Sequence, residues 1–188
     1  MKRKHFLQSI LGASAFLGLP YKTLAYDSSI LQELINNTKK NINGSMFGFS
    51  ADPVKKVKIG IIGLGNRGST LLEMLQYLII NNYAEVIALS DIVKEKTING
   101  AEKLISWQNT KPSIYCKSKN DWKKMIKRDD IDLVIIATPW KLHTPMAIYS
   151  MENGKHVACE VPIAYTLEEC WNLIAVSERT KKHCMMME

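Results

Sequence analysis

Several kinds of functional site have no supporting sequence pattern in this chain of 188 residues. The four cysteines, Cys116, Cys159, Cys170 and Cys184, include no C-x-x-C pair and no spacing typical of zinc ligands. No internal repeat is present, and no basic stretch carries the interleaved aromatics of a nucleic-acid-binding surface. We therefore expect no metal site and no nucleic-acid partner. Cys159 and Cys184 fall in predicted strands and are expected to be buried thiols, and the spacing gives no support for a disulfide.

More than half of the net charge of +7 lies in the first 25 residues, so it does not indicate a basic binding surface on the rest of the chain. Residues 1–25 contain four basic residues and no acid, which leaves +3 for the rest of the chain. That value is ordinary for a soluble domain. With 46% hydrophobic residues, the chain can form the core of one domain of moderate size plus a short extension.

Residues 1–25 have the pattern of a signal peptide. A basic start precedes an apolar stretch over residues 6–19, and Thr23-Leu24-Ala25 forms a cleavage site. The stretch is too short for a dependable transmembrane helix, although an uncleaved anchor is the alternative. Arg3-Lys4 resembles a twin-arginine signal with one arginine replaced. We expect export in the folded state to the periplasm or the exterior, with membrane contact only through this segment.

Residues 26–53 are polar and rich in Asn, Gly and Ser, which predicts a linker with a short helix over 29–40. The domain itself is predicted to occupy residues 54–188.

Residues 57–68 contain the motif on which the interpretation of the domain depends. An apolar run, VKIGII, ends in Gly63-Leu64-Gly65-Asn66-Arg67-Gly68, and a helical pattern follows. A G-x-G-x-x-G turn between a buried strand and a helix is typical of dinucleotide-binding proteins. Its glycines permit the tight turn, the approach of the pyrophosphate and close helix–strand packing. The alternative is an ordinary strand–helix turn in an α/β protein without a cofactor.

Apolar strands alternate with helical patterns through the rest of the domain. Strands are predicted at 57–62, 85–91, 113–116, 132–137, 155–159 and 183–187, and helices at 70–81, 94–107, 120–128, 145–152 and 167–181. We expect Asn120 to cap the third helix and a Thr166-x-x-Glu169 capping box to begin the last. This alternation predicts an α/β fold, a doubly wound parallel sheet of the Rossmann type with helices on both faces.

Asp91 ends the second predicted strand, 23 residues after Gly68. A carboxylate at this position can accept hydrogen bonds from the hydroxyls of the adenosine ribose. It favours NAD over NADP because it repels a 2′-phosphate and no arginine follows it, although Lys94 is nearby. The alternative is a helix N-cap or an exposed acid.

The loops after the fourth and fifth strands hold further candidates, because ligands bind at the carboxyl edge of a parallel sheet. Trp140 offers a flat face, and His143 could exchange a proton near the nicotinamide. Glu160 could hydrogen-bond the nicotinamide ribose or the loop backbone. Each also has a structural interpretation: Trp140 and His143 as packing residues, and Glu160 as a solvated acid.

Together, these strand ends resemble the N-terminal domain of the Gfo/Idh/MocA family of nicotinamide-dependent sugar-transforming enzymes, over about residues 57–188. The dehydrogenases of that family carry Glu-Lys-Pro after the fifth strand, and the lysine acts in proton transfer. Here the residues are Glu160-Val161-Pro162. The resemblance therefore implies something other than a simple alcohol-to-ketone dehydrogenase.

Residues 137–188 resemble glycoside hydrolase family 109, the NAD-dependent α-N-acetylgalactosaminidases. The shared patterns are Trp-x-x-His, Gly-Lys-His-Val-Ala, Glu-Val-Pro, Thr-Leu-Glu-Glu-Cys-Trp and His-Cys-Met-Met. The resemblance implies NAD contacts at Asn66, Arg67, Asp91, Trp140, Lys141, Leu142, His143, Glu160 and Val161. It implies a glycan substrate with terminal α-N-acetylgalactosamine. It assigns no catalytic residue here, and His143 is the candidate that position alone suggests.

The implied reaction oxidises sugar C3 with NAD⁺, eliminates the aglycone, adds water and returns the hydride. The lack of a candidate carboxylate pair agrees with this chemistry. We expect the C-terminal α/β substrate domain to be missing and the chain alone to be inactive, with weakened NAD binding and a tendency to form homo-oligomers through an exposed apolar face. The alternatives are a sugar oxidoreductase that releases NADH, and a non-catalytic fragment or pseudoenzyme.

Overall fold

The computed structural model describes residues 45–187, so the predicted signal peptide, the helix at 29–40 and most of the linker lie outside the described residues. Six strands form one parallel sheet in the order β3-β2-β1-β4-β5-β6. They are β1 (Val57–Ile62), β2 (Ala84–Ser90), β3 (Ser113–Tyr115), β4 (Leu133–Ile136), β5 (His156–Glu160) and β6 (Cys184–Met187). The predicted doubly wound parallel sheet is confirmed.

Helices connect these strands. They are α1 (Asn66–Met74), α2 (Gln76–Ile80), α3 (Lys94–Gln108), α4 (Trp122–Ile126), α5 (His143–Glu152) and α6 (Leu167–Thr180), with a 3₁₀ turn at Trp140–Leu142. None of the helices within residues 45–187 is long and apolar enough to cross a membrane.

The strand order reverses between β1 and β4, and this reversal positions the candidate site. The chain runs outward from β1 through β2 to β3 and then returns to place β4 on the other side of β1. Ile62 therefore pairs with Ser90 on one side and with Ile136 on the other. Connections leave β1 and β4 toward opposite faces, so a crevice opens at their carboxyl ends.

Side chains on both faces of the sheet are buried, as expected for a sheet covered by helices on each side. Ile61 packs in one apolar cluster with Leu72 and Leu104, while Ile62 packs in the other with Met125 and Met151. Adjacent residues of β1 thus contribute to opposite cores, because successive strand side chains point to opposite faces. This double burial holds the carboxyl end of β1 in place.

Several predicted helix boundaries differ from the structure, including the start of α5, which lies at His143 rather than at residue 145. The helix predicted at 70–81 begins at Asn66 and is interrupted at Leu75, because the glycine turn leads directly into α1. Asn120 was expected to cap the third helix, but Asp121 occupies the N-cap position of α4. The Asp121 carboxylate instead accepts a hydrogen bond from the Lys117 N–H at 3.1 Å. The capping box between Thr166 and Glu169 is confirmed.

All four cysteines are free thiols. Cys159 is fully buried in β5, as predicted, whereas Cys184 in β6 is only partly buried. Burial raises the pKa of the Cys159 thiol well above its usual range, and it raises the pKa of the Cys184 thiol to about 11. Both side chains therefore stay protonated and unreactive near neutral pH.

Candidate dinucleotide-binding site

Two glycines of the turn after β1 are required by the packing of the protein itself. Gly63 has φ +88°, and a Cβ there would lie 2.5 Å from the carbonyl oxygen of Ala137. A Cβ on Gly68 would overlap the carbonyl oxygen of Gly63. Only glycine allows α1 to approach β1 and β4 this closely.

Gly65 is different, because nothing in the protein requires a glycine there. Its φ of −66° suits any residue, and a Cβ would meet no atom within 4 Å. Gly65 is also the N-cap of α1, which has no side-chain cap and no acid in its first turn. The space in front of Gly65 therefore faces free N–H groups and the positive end of the helix dipole, an arrangement that binds phosphate. The residues present fit the pyrophosphate of a dinucleotide.

Asp91 holds the glycine turn in place from the end of β2. Its Oδ2 accepts a hydrogen bond from the Leu64 N–H at 2.7 Å, and its Oδ1 accepts one from the Val93 N–H at 2.8 Å. Each carboxylate oxygen has a second lone pair for a further donor. Asp91 is half-buried at the edge of the cleft, so ribose hydroxyls can reach it.

A cavity of about 510 Å³ lies at the carboxyl edge of the sheet, next to the glycine turn. Of the predicted site residues, its walls include Gly63, Gly65, Asn66, Arg67, Asp91 and Leu142. The remaining predicted residues do not line it; they are Gly68, Trp140, Lys141, His143, Glu160 and Val161. The structure thus brings together the predicted adenosine and pyrophosphate contacts at this cavity, while of the predicted contacts after β4 and β5 Leu142 is the one that lines it.

The cavity also contains residues that the sequence interpretation missed. Lys96 on α3 and Lys119 after β3 both line it, as does Trp122 at the start of α4. Lys94, which the sequence suggested as the nearby cation, does not. The position of Lys119 in a loop at the carboxyl edge was the available signal, since that edge holds ligands in open α/β sheets.

Arg67 and Glu160 form an ion pair between the glycine turn and the end of β5. The Arg67 Nε donates to Glu160 Oε1 at 2.7 Å. Glu160 is buried, whereas the Arg67 side chain is half exposed and lines the cavity. Glu160 thus contacts another predicted site residue through Oε1, and its predicted hydrogen bond to the nicotinamide ribose stays a prediction.

His143 is fully buried between the loops after β4 and β5. Its Nδ1 lies 2.9 Å from the carbonyl oxygen of Pro162, and its Nε2 lies 2.8 Å from that of Thr138. At least one of these carbonyls accepts a hydrogen bond, because even a neutral imidazole has one N–H. This geometry ties the two loops together and gives no support to a proton-transfer role for His143.

Within residues 45–187, no group of three or more His, Cys, Asp and Glu side chains is arranged to hold a metal ion.

The fold and the cleft agree with what a comparison of family sequences finds. Residues 57–188 match the family described as "Oxidoreductase family, NAD-binding Rossmann fold", the Gfo/Idh/MocA family. The chain belongs to the Gfo/Idh/MocA family. As a member, it is an NAD-binding Rossmann domain.

Curated relatives of this Gfo/Idh/MocA domain include two named α-N-acetylgalactosaminidases. The protein from Shewanella oneidensis is 37% identical over 186 residues, which cover 99% of this chain and 39% of the relative. The protein from Bacteroides fragilis is 46% identical over 143 residues, which cover 76% of this chain and 33% of the relative. The chain thus spans less than two-fifths of the length of these relatives.

Solved structures of the same fold are also about three times longer than the matching segment. An NAD-binding protein from Listeria innocua superposes with a TM-score of 0.59 at 32% identity, covering 70% of this chain and 35% of that one. The WlbA dehydrogenase from Chromobacterium violaceum, solved with NADH and UDP-GlcNAcA, superposes with a TM-score of 0.62 at 24% identity, covering 74% and 37%. The second likeness concerns the fold alone.

Proposed function

We propose that this domain is the NAD-binding part of a glycosidase that hydrolyses terminal α-N-acetylgalactosamine. The observation that carries the proposal is the open space at Gly65, at the N-terminus of α1 and beside Asp91, in a chain similar to two α-N-acetylgalactosaminidases. When bound, NAD⁺ would supply the hydride acceptor for oxidation of sugar C3 and the hydride donor for its later reduction, so loss of the aglycone and addition of water would leave the cofactor unchanged.

The residues of this chain bind and orient the cofactor in that proposal. The N–H groups at the start of α1 hold the pyrophosphate, and Asp91 accepts hydrogen bonds from the adenosine ribose. Glu160 holds the Arg67 guanidinium at the cavity wall through the 2.7 Å contact. His143 fixes the spacing of the loops after β4 and β5 through its two carbonyl contacts.

Val161 distinguishes the proposal from a sugar oxidoreductase. Its side chain cannot accept or donate a proton, whereas the dehydrogenases of the family carry a lysine at the corresponding position. The oxidoreductase remains the second candidate, because the family that matches residues 57–188 is described as an oxidoreductase family.

A chimeric enzyme tests the proposal. The chain replaces the matching N-terminal 39% of the Shewanella oneidensis α-N-acetylgalactosaminidase, and release of p-nitrophenol from p-nitrophenyl α-N-acetylgalactosaminide is measured. We expect catalytic hydrolysis that needs NAD⁺ and accumulates no NADH. Steady accumulation of NADH over many turnovers would favour the oxidoreductase. The 188-residue chain alone is the control, and we expect it to bind NAD⁺ without hydrolysing the glycoside.

We also propose that the domain is exported, as the pattern of residues 1–25 suggests. N-terminal sequencing of the protein recovered from a periplasmic fraction tests this. Cleavage after Ala25 is expected, and retention of the whole chain in the cytosol contradicts the proposal.

A further inference from the structure

Two exposed aromatic side chains lie against each other outside the cofactor cavity. Trp140 begins the 3₁₀ turn after β4, and Tyr165 precedes α6 after β5. Their ring centroids are 6.3 Å apart, with an angle of 49° between the ring planes. The two residues are 57% and 58% exposed. Of the ring contacts in the described part of the chain, this is the one in which both residues are exposed.

The backbone on which each ring is mounted is fixed by hydrogen bonds. The turn that contains Trp140 is closed by the Leu142 N–H, which donates to the Pro139 carbonyl at 2.9 Å. The Tyr165 N–H donates to Glu169 Oε2 at 2.7 Å, beside the capping box of α6. The backbone segments that carry the two rings are therefore already ordered. They lose less conformational entropy when a ligand binds to the rings.

The place of the pair relates it to the cofactor cleft. Pro139 and Leu142, on either side of the Trp140 turn, both line the cavity, whereas Trp140 and Tyr165 do not. A ligand held on the two rings thus lies next to the cavity without occupying it. Both loops belong to the carboxyl edge of the sheet, where substrates meet bound cofactors in open α/β folds.

The rings present the surface that a sugar ring recognises. A pyranose has an apolar face of C–H groups that packs on flat aromatic surfaces, and a rim of hydroxyls that needs polar partners. Trp and Tyr combine a large apolar face with an N–H or O–H group at the edge. With an angle of 49° between their planes, the two rings offer neighbouring apolar surfaces on which the C–H face of a pyranose can pack.

We propose that Trp140 and Tyr165 form a sugar-stacking subsite that binds a pyranose ring of the glycan substrate at the mouth of the cofactor cleft. The proposal rests on the proposed function, which supplies the substrate class. It assigns Tyr165 a role in substrate binding and adds a substrate contact to the NAD contact predicted for Trp140.

Saturation-transfer NMR on the whole chain tests the subsite, with methyl α-N-acetylgalactosaminide as the probe, in the presence and absence of NAD⁺. We expect transfer from the protein to the C–H protons of the pyranose ring. Tyr165→Ala should weaken glycoside affinity by about fivefold, the loss expected for one aromatic contact. Tyr165→Phe keeps the ring and should keep the affinity. Tyr77→Ala removes a tyrosine of α2 that is 69% exposed and should change nothing.

Each contrary outcome has a defined meaning. Equal transfer in the wild type and Tyr165→Ala, or transfer of the same size to the open-chain polyol mannitol, overturns the subsite. Self-association that Tyr165→Ala abolishes, with no glycoside binding in the wild type, assigns the rings to a contact between copies and also overturns it. Tyr165→Leu, which keeps apolar bulk, repeats the test if the alanine variant loses its native circular dichroism.

Calorimetric titration with NAD⁺ separates this proposal from the proposed function. Normal NAD⁺ binding without glycoside binding refutes only the subsite. Absence of NAD⁺ binding in a folded chain refutes the proposed function, while the glycoside titration without NAD⁺ still tests the two rings.

Discussion

The Nε–H of Arg67 donates a 2.7 Å hydrogen bond to Oε1 of Glu160, across 93 residues of sequence. The contact joins the turn after β1 to the end of β5 and so passes over the end of β4, which lies between them. Only the Nε–H of the guanidinium is used; its other N–H groups have no partner among residues 45–187. Glu160 thus orients a cation whose free donors remain at the wall of the cavity.

Glu160→Gln should weaken NAD⁺ binding through Arg67. The amide keeps the shape of the side chain but removes the charge that holds the guanidinium. We expect the dissociation constant for NAD⁺ to rise by about fivefold, a modest effect because Arg67 is half exposed and solvent screens the pair. Isothermal titration calorimetry measures the change.

Glu152→Gln is the matched control for that variant. Glu152 also pairs with an arginine at 2.7 Å, Arg179, but on α5 and α6 rather than at the cleft. Its loss should leave NAD⁺ affinity unchanged. An unchanged affinity in Glu160→Gln, or an equal loss in both variants, would contradict the role assigned to Glu160.

Gly65→Ala should weaken NAD⁺ binding while leaving the stability of the fold almost unchanged. The added methyl group meets no protein atom within 4 Å and φ is −66°, so the free energy of unfolding should change by less than about 1 kcal/mol. The same methyl group occupies the space in front of the helix N-terminus, so NAD⁺ affinity should fall by at least about tenfold. Urea unfolding and calorimetric titration measure the two quantities.

Gly68→Ala provides the contrast within the same turn. Its Cβ would overlap the Gly63 carbonyl oxygen, so we expect destabilisation by about 3 kcal/mol or more. If Gly65→Ala were the less stable of the two, or if it bound NAD⁺ normally, the assignment of this space to the pyrophosphate would be wrong.

Asp91→Ala should reduce stability and cofactor preference together. It removes acceptors from the Leu64 and Val93 N–H groups, which costs about 1–2 kcal/mol. The wild type should bind NAD⁺ more tightly than NADP⁺, because a carboxylate repels a 2′-phosphate. In the variant the ratio of the NADP⁺ dissociation constant to the NAD⁺ dissociation constant should be smaller than in the wild type. The reason is that the repelling carboxylate is gone while Lys96 and Lys119 remain in the cavity wall. Equal affinities for the two cofactors in the wild type would refute the preference.

The free energy of unfolding should decrease as the pH is lowered below about 6.5, because His156 becomes protonated less readily in the native state than in the unfolded chain. Burial lowers the pKa of this imidazole from 6.5, and Lys182 and His183 add to the effect while Asp132 opposes it. The unfolded chain then binds more protons than the native one between the lowered pKa and 6.5, so stability rises with pH in that window. Below the lowered pKa the contribution of His156 is fully lost.

Urea unfolding at a series of pH values between 5 and 8 measures this dependence. His156→Asn is the control, because its amide oxygen can still accept the hydrogen bond that the His183 N–H donates to His156 Nδ1 at 3.0 Å. The variant should have a flatter pH profile over this range. The carboxyl groups of Glu85, Asp121 and Asp130 have lowered pKa values, so they change the free energy of unfolding mainly at more acidic pH than this series covers. A wild-type stability that does not change over this range would refute the prediction.

Much of the fold could be predicted because its signals are local. The apolar run of β1, the glycines after it and the capping box at Thr166 each depend on neighbours within a few residues. Backbone sterics and side-chain periodicity fix such features before any tertiary contact forms. Asn120 shows the limit of this reasoning, since the neighbouring Asp121 is an equally good N-cap by residue type. In the structure Asp121 contacts Lys117 and Lys124, and it is the N-cap of α4, one residue after the predicted position.

The site was only partly predictable. Asp91 could be identified from its distance along the chain, because one strand–helix–strand unit has a nearly fixed length. Lys96 and Lys119 could not, since lysines occur throughout the surface and only the cavity shows which ones converge. For His143 the sequence left a proton-transfer role and a packing role open, and only the fold shows that the ring is buried between two carbonyls.

The sequence by itself determined the alternation of strands and helices, the need for glycine at Gly63 and Gly68, and the edge of the sheet at which a dinucleotide binds. Only the tertiary structure decided that Arg67 meets Glu160 and that Trp140 meets Tyr165. The reason is that each of these contacts joins loops that follow different strands. Their separation depends on strand order and register, which the packing of both faces of the whole sheet sets together.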